Sequence, residues 1–195
     1  MTKGQKFELE NFECVHNPYS DPGVSHPRGA VSCFISEKFK PYILNIDSSS
    51  DDLIRVLLRN DHVVFSCYVP PQESLYFNEL CFSGVCNMFT PVDRNVCVIG
   101  GGDLNTRFGQ LSRKMGPDKM YSVNPDKEVN SHGKTLINIC KSYKCYILNN
   151  LDFGDKIFDG NFTYRKKDKK SQVDVCLANT AALKHIDNFT IHDSG

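Results

Sequence analysis

The chain has 195 residues, and its 23 lysines and arginines balance 23 aspartates and glutamates, so the formal charge is zero. With 40% hydrophobic and 11% aromatic residues it buries enough apolar surface to offset chain entropy, which excludes a disordered polymer, collagen and a histone-like basic protein. Such a length suits one globular domain over 1–195.

No apolar run approaches the ~20 residues needed to cross a bilayer. Residues 1–12, MTKGQKFELENF, lack the apolar core of a secretory signal, so the expected location is intracellular, nuclear or cytoplasmic. Nine cysteines, at 14, 33, 67, 81, 86, 97, 140, 145 and 176, include no C-x-x-C pair and mostly sit in apolar runs, the pattern of reduced core thiols.

In chain order, the Pro/Gly-rich stretch 17–29 precedes a strand at 30–35 (AVSCFI). A second strand at 62–69 (HVVFSCYV) is rich in β-branched and aromatic residues and is stopped by Pro70 and Pro71. Apolar residues at 75, 76, 80, 82, 85, 86 and 89 recur near the helical period and predict a helix over 75–89. Residues 95–99 (NVCVI) have the pattern of a strand buried on both faces, ending in Gly100, Gly101, Gly102 and Asp103. The polar stretch 107–129, marked by proline and glycine, reads as a long surface loop. Leu136, Ile137, Cys140 and Tyr143 predict a helix over 134–144. Strands follow at 146–148, 162–164 and 173–177, the last two separated by a charged turn at 165–170. Strands interspersed with helices imply layered α/β architecture.

Ligand sites in α/β sheets form at strand ends, which draws attention to Gly102-Asp103-Leu104-Asn105. Asp103 can take a proton or touch a metal-bound water while Asn105 orients it, although the same residue types also make ordinary turns. Tyr68 falls at the rim of the second strand, where a phenol reaches a phosphate or simply packs. Asp174 is a lone carboxylate in an apolar strand, a costly placement unless the charge is paired. Just before it, Arg165, Lys166, Lys167, Lys169 and Lys170 crowd five cations into six residues, suited to phosphate contacts or to a solvated hairpin tip. Histidines 26, 62, 132, 185 and 192 show no metal-ligand spacing, and the three glycines match neither nucleotide-binding loop motif.

Taken in order, VVFSCYVPP (63–71), VCVIGGGDLNTRFG (96–109), NSHGKTLINICKSYKCYILNN (130–150), FTYR (162–165) and SQVDVCLAN (171–179) resemble the endonuclease/exonuclease/phosphatase superfamily. With HPRGAVSCFISEKF (26–39) ahead of them, they are most similar to the endonuclease domains of non-LTR retrotransposon polyproteins, from about residue 12 onward. The resemblance implies a DNase I-like layered α/β sandwich, two packed β-sheets flanked by helices. It implies Mg²⁺- or Mn²⁺-dependent phosphodiester hydrolysis with DNA as the partner, no membrane, a monomeric chain and a parent polyprotein that carries a reverse transcriptase.

By the same resemblance, Asp103 positions or deprotonates the attacking water and is a candidate metal ligand, and Asn105 helps hold the phosphate. Tyr68 contacts the scissile phosphate, and Asp174 orients a catalytic histidine. The family's metal-binding glutamate, in an E-T sequence, and its closing S-D-H motif are not matched; the terminal His192-Asp193-Ser194 has the letters in the wrong order. The stretch therefore reads as lacking both ends of the domain, with reduced or absent activity. The competing expectations are a noncatalytic remnant that binds nucleic acid or protein, and a phosphoinositide- or sphingomyelin-type phosphoesterase on the same scaffold.

Overall fold

The computed structural model describes residues 9–17, 31–90, 93, 95–114, 121–122, 124–153, 155–167 and 169–192. Along the chain run strands β1 (Phe12–Asn17) and β2 (Val31–Ser36), a 3-10 turn (Glu37–Tyr42), then β3 (Ile43–Ser50), β4 (Leu53–Leu58) and β5 (Val63–Cys67). A 3-10 turn (Glu79–Phe82) leads into helix α1 (Ser83–Phe89), followed by β6 (Val98–Asp103), β7 (Tyr121–Ser122) and helix α2 (Ser131–Tyr143). Then come β8 (Cys145–Ile147), β9 (Leu151–Asp152), β10 (Ile157–Asp159), β11 (Tyr164–Lys166), β12 (Lys169–Ser171), β13 (Asp174–Asn179), helix α3 (Thr180–Leu183) and β14 (Asn188–Thr190). The fold is mixed α/β, built on a six-stranded sheet of order β3-β4-β5-β6-β13-β8. Within it β5 and β6 pair in parallel and the other neighbours antiparallel.

Alternation along the strands gives the sheet two differently covered faces. Val63, Phe65 and Cys67 of β5, Val98 of β6, Val175 and Leu177 of β13 and Ile147 of β8 join one core cluster with Val85 and Phe89 of α1 and Leu136, Ile137 and Cys140 of α2. The Phe65 and Phe89 rings meet edge-on at 5.8 Å. On the opposite face, Ile54 and Val56 of β4 pack with Val31 and Ile35 of the β1–β2 pair. Ala178 of β13 packs there with Ala182 and Leu183 of α3 and Phe158 of β10. Lys156 closes the end of α3, its Nζ donating to the carbonyls of Leu183 at 2.8 Å and Ile186 at 2.7 Å.

The strands expected at 62–69, 146–148 and 173–177 and the helix at 134–144 have counterparts in β5, β8, β13 and α2, and α2 starts three residues early because Asn130 caps it. Other expectations change. Residues 75–78 are irregular rather than helical, with a turn at 75–76 and Asn78 extended: Leu75 is 99% exposed, so its apolar letter does not mark a buried stripe. The 165–170 turn is a hairpin, β11 against β12, pivoting at Lys167 with φ 54°. The described part of 107–129 is no plain surface loop, since Phe108, Ser112, Asn124 and Asp126 are all buried. The expectations at 17–30, apart from Asn17 at the end of β1, concern residues outside those described, as do His26 and Asp168.

The glycine triplet also behaves differently from a strand end. Gly100, Gly101 and Gly102 lie inside β6, paired with Leu177, Cys176 and Val175. A Cβ on Gly101 would stand 1.8 Å from the Val175 carbonyl oxygen, so glycine there permits close strand approach. Accordingly, Gly101→Ala is expected to lower unfolding free energy by about 3 kcal/mol or more. Gly84→Ala in α1, whose nearest obstacle is Leu53 Cδ1 at 3.5 Å, should be neutral or stabilising by up to ~1 kcal/mol. Urea unfolding of the two variants checks the contrast; equal effects would contradict it.

Candidate functional site

Register places the site. Asp103 and Asp174 are directly opposite in the antiparallel β6–β13 pair, where Cα atoms lie roughly 4.5–5.5 Å apart and the side chains share a face. Gly102 and Val175, one step back, belong to the helix-covered side, so both carboxylates point to the other face. In the parallel β5–β6 pair Ser66 is level with Gly101, and Val69 N–H donates to the Asp103 carbonyl at 2.9 Å, continuing that pairing. Tyr68 is thereby level with Asp103. Tyr68, Asp103 and Asp174 form a row across three strands on one face, each half-buried. Tyr68 also packs against the Ile54–Val56 cluster.

One further acid extends this row. Tyr68 N–H donates to the Asp52 carbonyl at 2.9 Å, prolonging the β4–β5 pairing by one residue and bringing Asp52 alongside. Burial pushes the Cys67 thiol far up, and the charges of Cys176, Asp103 and Asp52 push the same way. Asp52 was not singled out from sequence because it reads as a turn residue.

Asn105 leaves the row through a left-handed backbone conformation, φ 48°. Its N–H donates to Asp103 Oδ1 at 2.9 Å, and its Nδ2 donates to the Val69 carbonyl at 2.9 Å. Thr163 fixes Asp174 from one side, its Oγ1 accepting from the N–H groups of Val173 at 3.1 Å and Asp174 at 3.0 Å. Fully buried Asn149 holds the same strand from the other, donating to the Asp174 carbonyl at 3.0 Å and accepting from Cys176 N–H at 2.9 Å. Neither Thr163 nor Asn149 carries a sequence signal beyond its polarity in an apolar neighbourhood.

Electrostatically the site disfavours the ionised form of Asp103. Burial raises the Asp103 carboxyl above its ordinary value, the Asn105 N–H opposes that shift, and the facing Asp174 charge adds to it. The loop beyond Asn105 contains an opposite case. Arg107 grips Asp126 with two hydrogen bonds, Nε to Oδ2 at 2.7 Å and Nη2 to Oδ1 at 2.9 Å, and also pairs with Glu128. Burial alone would raise the Asp126 carboxyl; Arg107 and the N–H groups of Glu128 and Gln172 outweigh it and hold it below the usual carboxylate range. Gln172 is two residues from Asp174, so Asp126 ties the segment after Asp103 to the segment before Asp174.

The five cations all lie on the β11–β12 hairpin and all are exposed. Arg165 is directly opposite Lys170, and Lys166 opposite Lys169, like-charge pairs that weaken an isolated hairpin. The hairpin is rooted beside Asp174, through Thr163 N–H to the Ser171 carbonyl at 3.0 Å.

His132, a core residue at 2% exposure, stacks against Phe77 and Phe82. Burial pushes its imidazole below the ordinary value, while nearby carbonyls of Leu104 and Asn105 and the Glu73 charge oppose the shift. Neither ring nitrogen reaches hydrogen-bonding geometry with a partner among the described residues.

Two carboxylates facing each other fit Mg²⁺, which binds through one or two carboxylates, waters and substrate phosphates rather than an all-protein cage. Among the described residues no group of three or more His, Cys, Asp or Glu could hold a metal ion. No helix among the described residues is long and apolar enough to cross a membrane. No protein-family model matches the chain, and no curated protein matches it.

The raised Asp103 value means that ionisation at neutral pH costs the folded state stability. Asp103→Asn is therefore expected to melt above wild type at pH 7, the gap closing below about pH 4, where the carboxyl is protonated folded or unfolded. Asp126→Asn has the opposite sign. Its depressed carboxyl stabilises the fold above the ordinary carboxylate range, and that stability is lost as pH falls through the folded value. The variant should lose about 3 kcal/mol at pH 7 and converge with wild type in acid. Thermal melts across pH 3–7 check both; melting curves of the same sign would contradict the assignment.

Proposed function

We propose that this chain is a metal-dependent phosphodiesterase acting on DNA, an endonuclease of the retrotransposon type on a DNase I-like layered scaffold. The observation that carries the reading is the row Tyr68–Asp103–Asp174, with Asn105 beside it and a cation-rich hairpin rooted at its end. The motif resemblance supports the same roles.

Each residue has chemistry suited to its part. Burial and the facing Asp174 charge raise the Asp103 carboxyl, which makes it a stronger base than an ordinary aspartate. One of its oxygens is engaged by the Asn105 N–H, so the other takes the proton of an attacking water. An amide nitrogen carries two hydrogens; Asn105 Nδ2 gives one to Val69 and offers the second to a phosphate oxygen. The Tyr68 phenol is a further donor on the same face. Asp174, its backbone pinned by Thr163 and Asn149, is rigid enough to orient an imidazole. Asp103 would help hold a Mg²⁺, which would supply positive charge to offset that of the phosphate. The exposed hairpin cations steer and hold the polyanion.

The hairpin by itself also favours a second reading, a module that binds nucleic acid without cleaving it. Nicking of supercoiled plasmid separates the two. The phosphodiesterase reading expects Mg²⁺-dependent nicking that falls by about 10²-fold or more in Asp103→Ala and in Asn105→Ala. Nicking unchanged in both variants would overturn it. Neutralising Lys166, Lys167, Lys169 and Lys170 should weaken DNA binding and flatten its salt dependence on either reading.

A further inference from the structure

We propose that Asn130 is a positioning residue for this site: one carboxamide caps α2 and at the same time holds Asn105 in the backbone conformation that presents its side chain. The proposal rests on the reading that Asp103 and Asn105 act on a phosphodiester.

Asn105 has φ 48°, a left-handed conformation that non-glycine residues adopt at a cost and keep when the surroundings impose it. Its N–H and side chain are directed at Asp103 and Val69. The third restraint is remote in sequence: Asn130 Nδ2 donates to the Asn105 carbonyl at 2.8 Å. The same carboxamide accepts through Oδ1 from Gly133 N–H at 2.8 Å, capping α2, and from Arg107 N–H at 3.0 Å. Asn130 N–H in turn donates to the Arg107 carbonyl at 2.8 Å. Asn130 thus grips the rim on both sides of fully buried Thr106.

A helix cap does not require this residue type. Serine, threonine and aspartate accept the first-turn N–H as well as asparagine does. Aspartate offers acceptors alone, and in serine and threonine donor and acceptor share one oxygen; a carboxamide sets a donor nitrogen for Asn105 apart from the oxygen that accepts from Gly133 and Arg107. The rest of the helix start is shaped to the rim as well. A Cβ on Gly133 would stand 2.1 Å from the Arg107 carbonyl oxygen, so the first turn of α2 lies directly against the loop. The Ser131 hydroxyl hydrogen-bonds Gln72, one residue beyond the Pro71 that ends the Tyr68 segment. The first turn of α2 therefore contacts the loops that follow both Tyr68 and Asp103, and Asn130 makes the bonds to the second.

Asn130→Ser and Asn130→Asp test this, because both keep an acceptor for the helix and remove the carboxamide nitrogen that donates to Asn105. In the full chain both variants are expected to melt within a few degrees of wild type. Hydrogen–deuterium exchange at the Asn105 and Arg107 amides should accelerate about tenfold or more. In plasmid nicking kcat should fall about tenfold with KM little changed, since misplacing a reacting group costs rate rather than affinity. Exchange at 105 and 107 unchanged in both variants would overturn the proposal, as would accelerated exchange with wild-type kcat. Absence of nicking in wild type bears on the phosphodiesterase reading and not on Asn130, and the exchange result then decides alone whether Asn130 holds Asn105. Asn130→Ala, which loses cap and donor together, should lower the melting temperature and so marks what a purely structural loss looks like.

Discussion

Two carboxylates face each other across one antiparallel pair, and much of the surrounding structure serves to keep them there. Like charges directly opposite destabilise a sheet, and half-burial raises the cost. Side-chain packing does little for this part of β6, since its last residues before Asp103 are glycines. The pair is instead imposed by backbone hydrogen bonds from both neighbours: Val69 N–H on the Asp103 carbonyl, and Leu104 N–H on the Val173 carbonyl at 3.1 Å. Farther back, Asn179 closes the start of β6, donating to the Val96 carbonyl at 2.7 Å and accepting from Val98 N–H at 3.1 Å. A strand stripped of side chains can lie close to its partners, and that closeness fixes where the acids end up.

Around the row, polar side chains do work that a surface loop would leave to water. Asp126, Asn130, Asn149, Thr163 and Asn179 each bind backbone groups where the chain leaves a ladder or a helix. Buried polar groups are tolerable when fully paired, and such networks specify one arrangement more sharply than apolar contacts do. The result is a hydrogen-bonded rim at one end of the central strands, with the exposed hairpin cations planted next to it. On the proposed function, the held acids would act at one phosphate while the exposed cations contact its neighbours.

Much of this was legible in the sequence where burial leaves a periodic trace. The apolar runs of β5, β13 and α2 announce themselves, and Asp174 stands out because a carboxylate is foreign to its strand. The glycine triplet was legible as a special backbone but not as a strand interior, since glycine signals permission and not direction. Neither β3 nor β4 was anticipated: β3 is bulged between Ile43 and Asn45 and again between Asp47 and Ser50, which breaks the two-residue alternation, whereas β4 is a largely apolar run that was passed over. The loop after Asn105 looked exposed because Asn124 and Asp126 are polar; their burial is compensated by Arg107 and local N–H groups that no single window of sequence reveals. Asn130 was not singled out, since its bond to Asn105 depends on tertiary approach.

The electrostatic coupling of Asp103 to Asp174 is the claim on which the account turns, and carboxyl titration by ¹³C NMR measures it directly. In wild type the Asp103 carboxyl should titrate above the ordinary aspartate range, and in Asp174→Asn it should fall back toward that range, because a facing charge has been removed while burial remains. An Asp103 titration that is ordinary in wild type, or unmoved by the Asp174 substitution, would contradict the facing-carboxylate arrangement.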